Sequence, residues 1–212
     1  MRAELPSRGD AAREEVLCGE LGTGGIVVHD EFLSPTQVSA LAACVRRRRE
    51  RGDFVPARVG AGADSKRRAQ IRGDFICWLT EPEFEAEAEV LGLLEELRLR
   101  LNRELFLGLF ELELHYAWYP PGSGYARHVD RPHRRDQRRL TLVLYLNEQW
   151  ERSHGGELRV FEGDGRSRDI EPRGGRLVTF LSEGREHEVM PAGRARLSLS
   201  GWLRSRAQHP AR

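Results

Sequence analysis

The chain has 212 residues, 39% hydrophobic and 32% charged, with a formal net charge of +1 at pH 7. That length fits one domain with a sizeable core, and the near-neutral charge excludes a global pull toward nucleic acid or a membrane surface. Cys18, Cys44 and Cys77 are widely spaced with no CxxC pair, which argues against a disulfide framework or a cysteine zinc site and for a reducing compartment. Lys66 is the single lysine among 34 basic residues, an arginine bias that suits a GC-rich bacterial genome. The opening stretch "MRAELPSRGDAAREE" carries no apolar signal core and no apolar run approaches membrane-spanning length, so the expected location is the cytoplasm.

Along the chain, "DAAREEVLCGELG" reads as a short helix ending at Gly22 and "GIVVHDEFL" as a strand. "SPTQVSALAACVRRRRE" reads as a helix with Ser34 at the N-cap and Pro35 at the first helical position, its Arg46–Arg49 run placed where cations suit the helix dipole. "GAGADSKRRAQIRGD", residues 60–74, is Gly-rich, charged and aperiodic, the pattern of a mobile loop, and "FICWL" after it is a strand. "TEPEFEAEAEVLGLLEELRLRLNRELF" sets Thr80 and Glu83 at capping-box spacing, with an apolar stripe of Val90, Leu91, Leu94, Leu97 and Leu101 that predicts packing on a sheet. Eight short strands follow, at about 112–119, 126–130, 139–147, 157–161, 168–170, 176–181, 186–190 and 195–204, which predicts a sandwich or jelly roll. The expected organisation is one domain over 1–212: helical support, first strands and loop over 1–110, a jelly-roll core over 111–204 and a short basic tail at 205–212.

Strand faces sharpen this reading. In "LTLVLYLN" both faces are apolar, as in a central strand covered on each side, with Thr141, Val143 and Tyr145 on one face and Leu140, Leu142, Leu144 and Leu146 on the other. In "RLSLSGW", Leu197 and Leu199 share a face, while Arg196, Ser198, Ser200 and Trp202 share the opposite one, turned either to water or to the polar interior of a cup.

"YARHVDRPH" places His128 and Asp130 two residues apart, so both side chains leave an extended segment on the same face. A lone HxD is most often a surface pair, but His187 comes late, on a strand that turns at Pro191 and Gly193 into the Arg196 strand. Two imidazoles and one carboxylate on one face of an octahedral ion leave three positions open, the arrangement of non-haem iron(II) oxygenases. Arg196 and Tyr145 then suit the far carboxylate of a dicarboxylate cosubstrate. His115, His133 and His154 are rival third ligands: one on a strand, one in an arginine-rich loop, one in a turn.

With those residues in view, the blocks "YPPGSGYARHVDRP", "RRLTLVLYLNEQW", "GGELRVF", "RLVTF" and "HEVMPAGRARLSLSGW" resemble the iron(II)- and 2-oxoglutarate-dependent prolyl 4-hydroxylases, in particular the Egl-nine (hypoxia-inducible-factor) type and its bacterial relatives. The resemblance spans about 111–204, with weaker likeness in "IRGDFICWL". It implies a mainly β fold with flanking helices (α+β), built on a double-stranded β-helix, or jelly-roll, core. It implies Fe(II), 2-oxoglutarate and O2 as cofactors, ascorbate as reductant, and release of succinate and CO2. His128, Asp130 and His187 match the iron ligands; Arg196 and Tyr145 match the residues holding the cosubstrate tail. Tyr119 matches a tyrosine beside metal and cosubstrate, and Arg138 and Trp202 match residues lining the cleft near the target proline. Loop 60–74 matches a segment that folds over the substrate. The implied partner is a protein or peptide bearing a target proline, in bacterial relatives elongation factor Tu; a role in oxygen sensing follows from the same chemistry. Two rivals stand beside this reading: a nucleic-acid oxidative demethylase of the same cofactor class, and a non-catalytic cupin-like metal-binding module. Trp202 occupies the position where a demethylase would carry a second arginine.

Overall fold

The computed structural model describes residues 19, 21–22, 25–59, 68, 70–130, 137–162 and 165–206. The expected first helix falls mostly outside them, as do Cys18, most of loop 60–74, His133, His209 and the tail beyond Arg206. The strands are β1 (Ile26–His29), β2 (Val55–Pro56), β3 (Phe75–Trp78), β4 (Leu109–Tyr119), β5 (Tyr125–His128), β6 (Arg138–Tyr145), β7 (Leu158–Phe161), β8 (Ser167–Ile170), β9 (Leu177–Leu181), β10 (His187–Val189) and β11 (Arg196–Ser205), with helices α1 (Pro35–Glu50) and α2 (Glu85–Leu105). Among the described residues no helix is long and apolar enough to cross a membrane.

The strands form a seven-stranded sheet ordered β1-β9-β6-β11-β4-β3-β2 and a four-stranded sheet ordered β5-β10-β7-β8. From β4 to β11 the chain passes back and forth between the two sheets, and the pairs formed are antiparallel, which is a jelly-roll core. Each of the eight expected strands is present, with ends shifted by three residues or fewer. The large sheet is covered on both faces, as the two apolar faces of β6 require. Leu140, Leu142, Leu144 and Leu146 join Leu199 of β11 and Val90 and Leu94 of α2 in one core beneath the helices. Val143 and Tyr145 join Leu158, Val160, Ile170 and Val189 in a second core between the sheets. Burying each such aliphatic side chain contributes about 1.5–3 kcal/mol.

Helix α1 begins as its sequence dictates. Ser34 Oγ accepts from the Gln37 backbone N at 3.3 Å and Gln37 Oε1 accepts from the Ser34 backbone N at 3.0 Å. Helix α2 corrects the expected capping box: Phe84 is the N-cap, with no side-chain cap. Glu83 instead accepts from Arg48 (2.8 Å) and Arg51 (2.7 Å). Glu87, with 0% of its surface exposed, accepts from the Glu83 backbone N at 2.9 Å and from both Nε and Nη2 of Arg48 at 2.8 and 2.9 Å. Arg48 is itself buried, and a buried cation needs carboxylate partners. The Arg46–Arg49 run is thus partly internal: Arg48 clamps α1 to α2, and the Arg49 guanidinium carbon lies 3.7 Å from the Trp118 ring centroid.

The end of the expected mobile loop is built into the core. Asp74, 2% exposed, accepts two hydrogen bonds from Arg72 at 2.8 and 3.0 Å, and Gly73 N donates to the Gly124 carbonyl at 3.0 Å.

Candidate metal centre

Strand β10 lies against β5 with His187 directly opposite His128, so two imidazoles far apart in sequence face each other with ring centroids 4.3 Å apart. His128 Nδ1 is 2.9 Å from the Ala126 carbonyl oxygen and His187 Nδ1 is 3.1 Å from that of Arg185. A carbonyl oxygen only accepts, so each Nδ1 carries the ring proton and each Nε2 presents a lone pair. Asp130, just past β5, reaches into the same space. Its Oδ1 is 3.7 Å from His128 Nε2 and its Oδ2 is 3.6 Å from His187 Nε2. Those separations exceed hydrogen-bond length and suit donors arranged around one ion. The ligand atoms of the three residues lie within 4.8 Å of one another, the one such group of three or more among the described residues.

Electrostatics set the donor types. Burial, with His187 beside it, pushes the His128 pKa down to about 4, so this imidazole is neutral at neutral pH. Burial alone would raise the Asp130 carboxyl. The positive charge that the neighbouring imidazoles would carry once protonated, with the hydrogen bond from the Thr141 hydroxyl, outweighs it, so Asp130 titrates below the ordinary carboxylate range and stays ionised. Two imidazoles and one carboxylate on one side of a space, open on the other, is a donor set that fits iron(II) with positions to spare.

The rest of the cup fits a dicarboxylate. Arg196, at the start of β11, is 2% exposed and donates from Nε to the Gly156 carbonyl at 3.0 Å. A Cβ at Gly156 would stand 2.9 Å from Ala192 Cβ and 3.2 Å from the Trp150 ring, and the residue has φ 74°, so the backbone carrying the carbonyl that Arg196 binds requires glycine. The Arg196 guanidinium carbon is 5.1 Å from the ring centroids of both Tyr119 and Tyr145. The Tyr145 hydroxyl is buried without a hydrogen-bond partner. A buried orphan donor beside an enclosed cation fits an anionic ligand group that supplies the missing acceptor. The cup itself, about 510 Å³ with its open mouth, is lined by the three metal-ligand candidates together with Arg196, Tyr119 and Trp202.

The remaining expected residues fall as follows. Tyr119 pairs with Arg196 across β4 and β11 and forms cup wall. Trp202 lines the cup, while Arg138 stands behind it: its guanidinium carbon is 3.4 Å from the Trp202 ring centroid and its Nη2 is 2.7 Å from Glu113 Oε1. His115 lies on the wall but outside the ligand group, between Trp78 (5.1 Å) and Trp202 (5.6 Å), its pKa driven to about 3 by burial. His154 spends Nδ1 on the Glu151 backbone N at 2.9 Å in a 3-10 turn. Sequence reasoning missed Tyr125, stacked on His128 at 3.5 Å and 14°, and Arg72, whose guanidinium carbon lies 4.8 Å from the Tyr125 ring centroid. It also missed Thr141, whose Oγ1 donates to Asp130 Oδ2 at 2.8 Å. Thr141 shares the inward face of β6 with Tyr145, and that parity was the available signal.

Comparison with known proteins agrees with this geometry. The profile of the 2OG-Fe(II) oxygenase superfamily matches residues 114–204. A Pseudomonas putida prolyl-4-hydroxylase of known structure is 45% identical, superposes with a TM-score of 0.81, and is matched over 90% of this chain and 98% of its own. A prolyl hydroxylase from Trichoplax adhaerens, solved with a peptide fragment of the hypoxia inducible factor oxygen degradation domain, is 27% identical with a TM-score of 0.82, covering 94% of each chain. Human Egl nine homolog 1 is 35% identical over 159 residues, which are 70% of this chain but 36% of that protein, so the chain spans little more than a third of its length. The chain belongs to the 2OG-Fe(II) oxygenase superfamily. Within it, this chain stands with the prolyl hydroxylases.

Proposed function

We propose that this chain is an iron(II)- and 2-oxoglutarate-dependent dioxygenase that 4-hydroxylates a proline in a loop of a protein substrate. The observation that carries the reading is the convergence of His128 Nε2, Asp130 and His187 Nε2 on one space in a cup whose lining also holds the buried Arg196. His128, Asp130 and His187 hold the iron; Arg196 and the Tyr145 hydroxyl hold the far carboxylate of 2-oxoglutarate; Tyr119 packs beside them. When bound, iron and 2-oxoglutarate supply the oxidising chemistry, taking up O2, yielding succinate and CO2 and placing one oxygen atom on the substrate, with ascorbate as external reductant. The chain's own part is placement. Backbone carbonyls of Ala126 and Arg185 hold both imidazoles in the ligating tautomer. The aromatic ring of Trp202, backed by Arg138, gives the proline a flat apolar wall in the cup.

The likeness to a bacterial prolyl-4-hydroxylase supports a bacterial protein loop as substrate, and elongation factor Tu is the candidate we propose. Nucleic acid is disfavoured, since Arg127 and Arg138, on the strands either side of Asp130 in the chain, are each paired with a glutamate, Glu186 and Glu113. The test is incubation with Fe(II), 2-oxoglutarate, ascorbate and elongation factor Tu in air, read by mass spectrometry and succinate assay. The expected result is one proline gaining one oxygen in step with succinate, lost in Asp130→Ala. Succinate release at the normal rate by Asp130→Ala overturns the ligand assignment; succinate without hydroxyproline overturns the substrate.

A further inference from the structure

Asp130 follows a strand of the small sheet, yet its carboxylate is tied to the large one. Thr141 Oγ1, on β6, is 2.8 Å from Asp130 Oδ2, and Ser182 Oγ, just beyond β9, is 2.9 Å from Thr141 Oγ1. An ionised carboxylate can only accept. Threonine has one hydroxyl proton, so that proton points at Asp130 and Ser182 must donate to Thr141. The chain therefore runs in one direction, Ser182 to Thr141 to Asp130. Thr141 is 4% exposed and Ser182 0% exposed, so water does not compete for these bonds. Ser182 is itself fixed by its backbone N, which donates to the Arg139 carbonyl at 3.0 Å. Thr141 is on β6 and Ser182 directly follows the adjacent β9, in a register that brings Leu140 opposite Leu181.

A carboxylate can ligate an ion through one oxygen or two. Three protein donor atoms leave three positions on an octahedral ion, whereas a chelating carboxylate leaves two. We propose that Thr141 and Ser182 are positioning residues which, by occupying Asp130 Oδ2, restrict Asp130 to one coordinating oxygen and so keep the third position open. The inference rests on the metal-site reading above and adds to it two residues outside the ligand motif, with a stated job.

The experiment uses Mn(II) in place of iron, with water-proton relaxation counting exchangeable metal-bound waters and with 2-oxoglutarate affinity measured on the Mn(II)-loaded protein. Thr141→Val keeps shape and removes the donor. It is expected to lower relaxivity per bound Mn(II) by about one third, one water of three, and to weaken 2-oxoglutarate binding about tenfold, the usual scale for losing an outer hydrogen bond to a ligand. Thr141→Ser is expected to restore both. Ser182→Ala, with the Thr141 donor left unsupported, is expected to shift both in the same direction by a smaller factor. Wild-type relaxivity and affinity in Thr141→Val overturn the proposal. If that variant fails to fold, wild-type values in Ser182→Ala do so. Failure of the underlying reading is distinct: wild-type protein binds no Mn(II), or Asp130→Ala binds it as well as wild type does.

Discussion

At the scale of single residues, Tyr145 illustrates how binding and stability pull apart. Its hydroxyl is buried without a partner, and an unsatisfied buried polar group costs about 1–3 kcal/mol. Tyr145→Phe is therefore expected to leave the ligand-free protein as stable or about 1 kcal/mol more stable, by denaturant titration, while raising the KM for 2-oxoglutarate at least about tenfold, the value of one hydrogen bond to a charged carboxylate at about 1.5–3 kcal/mol. Arg196→Lys keeps a positive charge but loses the planar fork. With Nε committed to the Gly156 carbonyl, the lysine cannot both hold the wall and meet a carboxylate with two donors. A rise of at least tenfold in the KM for 2-oxoglutarate, from steady-state kinetics, is expected, with a smaller change in kcat. Equal KM values for Arg196→Lys and wild type place the cosubstrate elsewhere.

Elements show what was legible in the sequence and what was not. The strands were, because a period of two is a local property: Leu197 and Leu199 against Arg196, Ser198 and Ser200 can be sorted without knowing the neighbours. Metal-ligand candidates were also readable, since His128 and Asp130 share parity and His187 lies on the strand that precedes Arg196 in the chain, although the two strands belong to different sheets. Partners created by tertiary placement were not. Glu87 sits in an acid-rich helix start that looks like surface, and only the docking of α1 makes it the counter-ion of Arg48. Arg72 and Asp74 lie in a charged stretch with no periodicity, and their buried pairing depends on where Tyr125 comes to rest. The α1–α2 clamp has a measurable consequence. Removing one member of a buried pair costs about 3–5 kcal/mol, so Glu87→Gln is expected to lower stability by about that amount at pH 7. Burial alone would raise the Glu87 carboxyl, but Arg48 holds it below its ordinary value of 4.5. A depressed carboxylate stabilises the fold fully above the unfolded pKa and loses that contribution as pH falls through the folded one. Wild-type stability is therefore expected to drop below about pH 4.5 more steeply than that of Glu87→Gln, measured by urea titration at pH 7 and at pH 4.

For the molecule as a whole, the candidate metal site joins the two sheets: His128 and His187 stand on the small one, and Thr141 ties Asp130 to the large one. A ligand bound only by the folded state stabilises it by mass action, about 2.7 kcal/mol at a hundredfold excess over Kd. In a chain of this size that corresponds to a rise in Tm of about 5–10 °C. Scanning calorimetry with Mn(II) is expected to show the shift, a chelator to reverse it, and Asp130→Ala to abolish it. An unchanged Tm in wild type denies the site its metal.

The register that sets His187 opposite His128 also fixes when the protein acquires its chemistry. Those two rings meet only after β10 has left the ribosome and zipped onto a strand made long before it, a late, non-local closure. Until then the growing polypeptide lacks the proposed iron cage, so a translation product cut short before residue 187 is expected to bind no metal there.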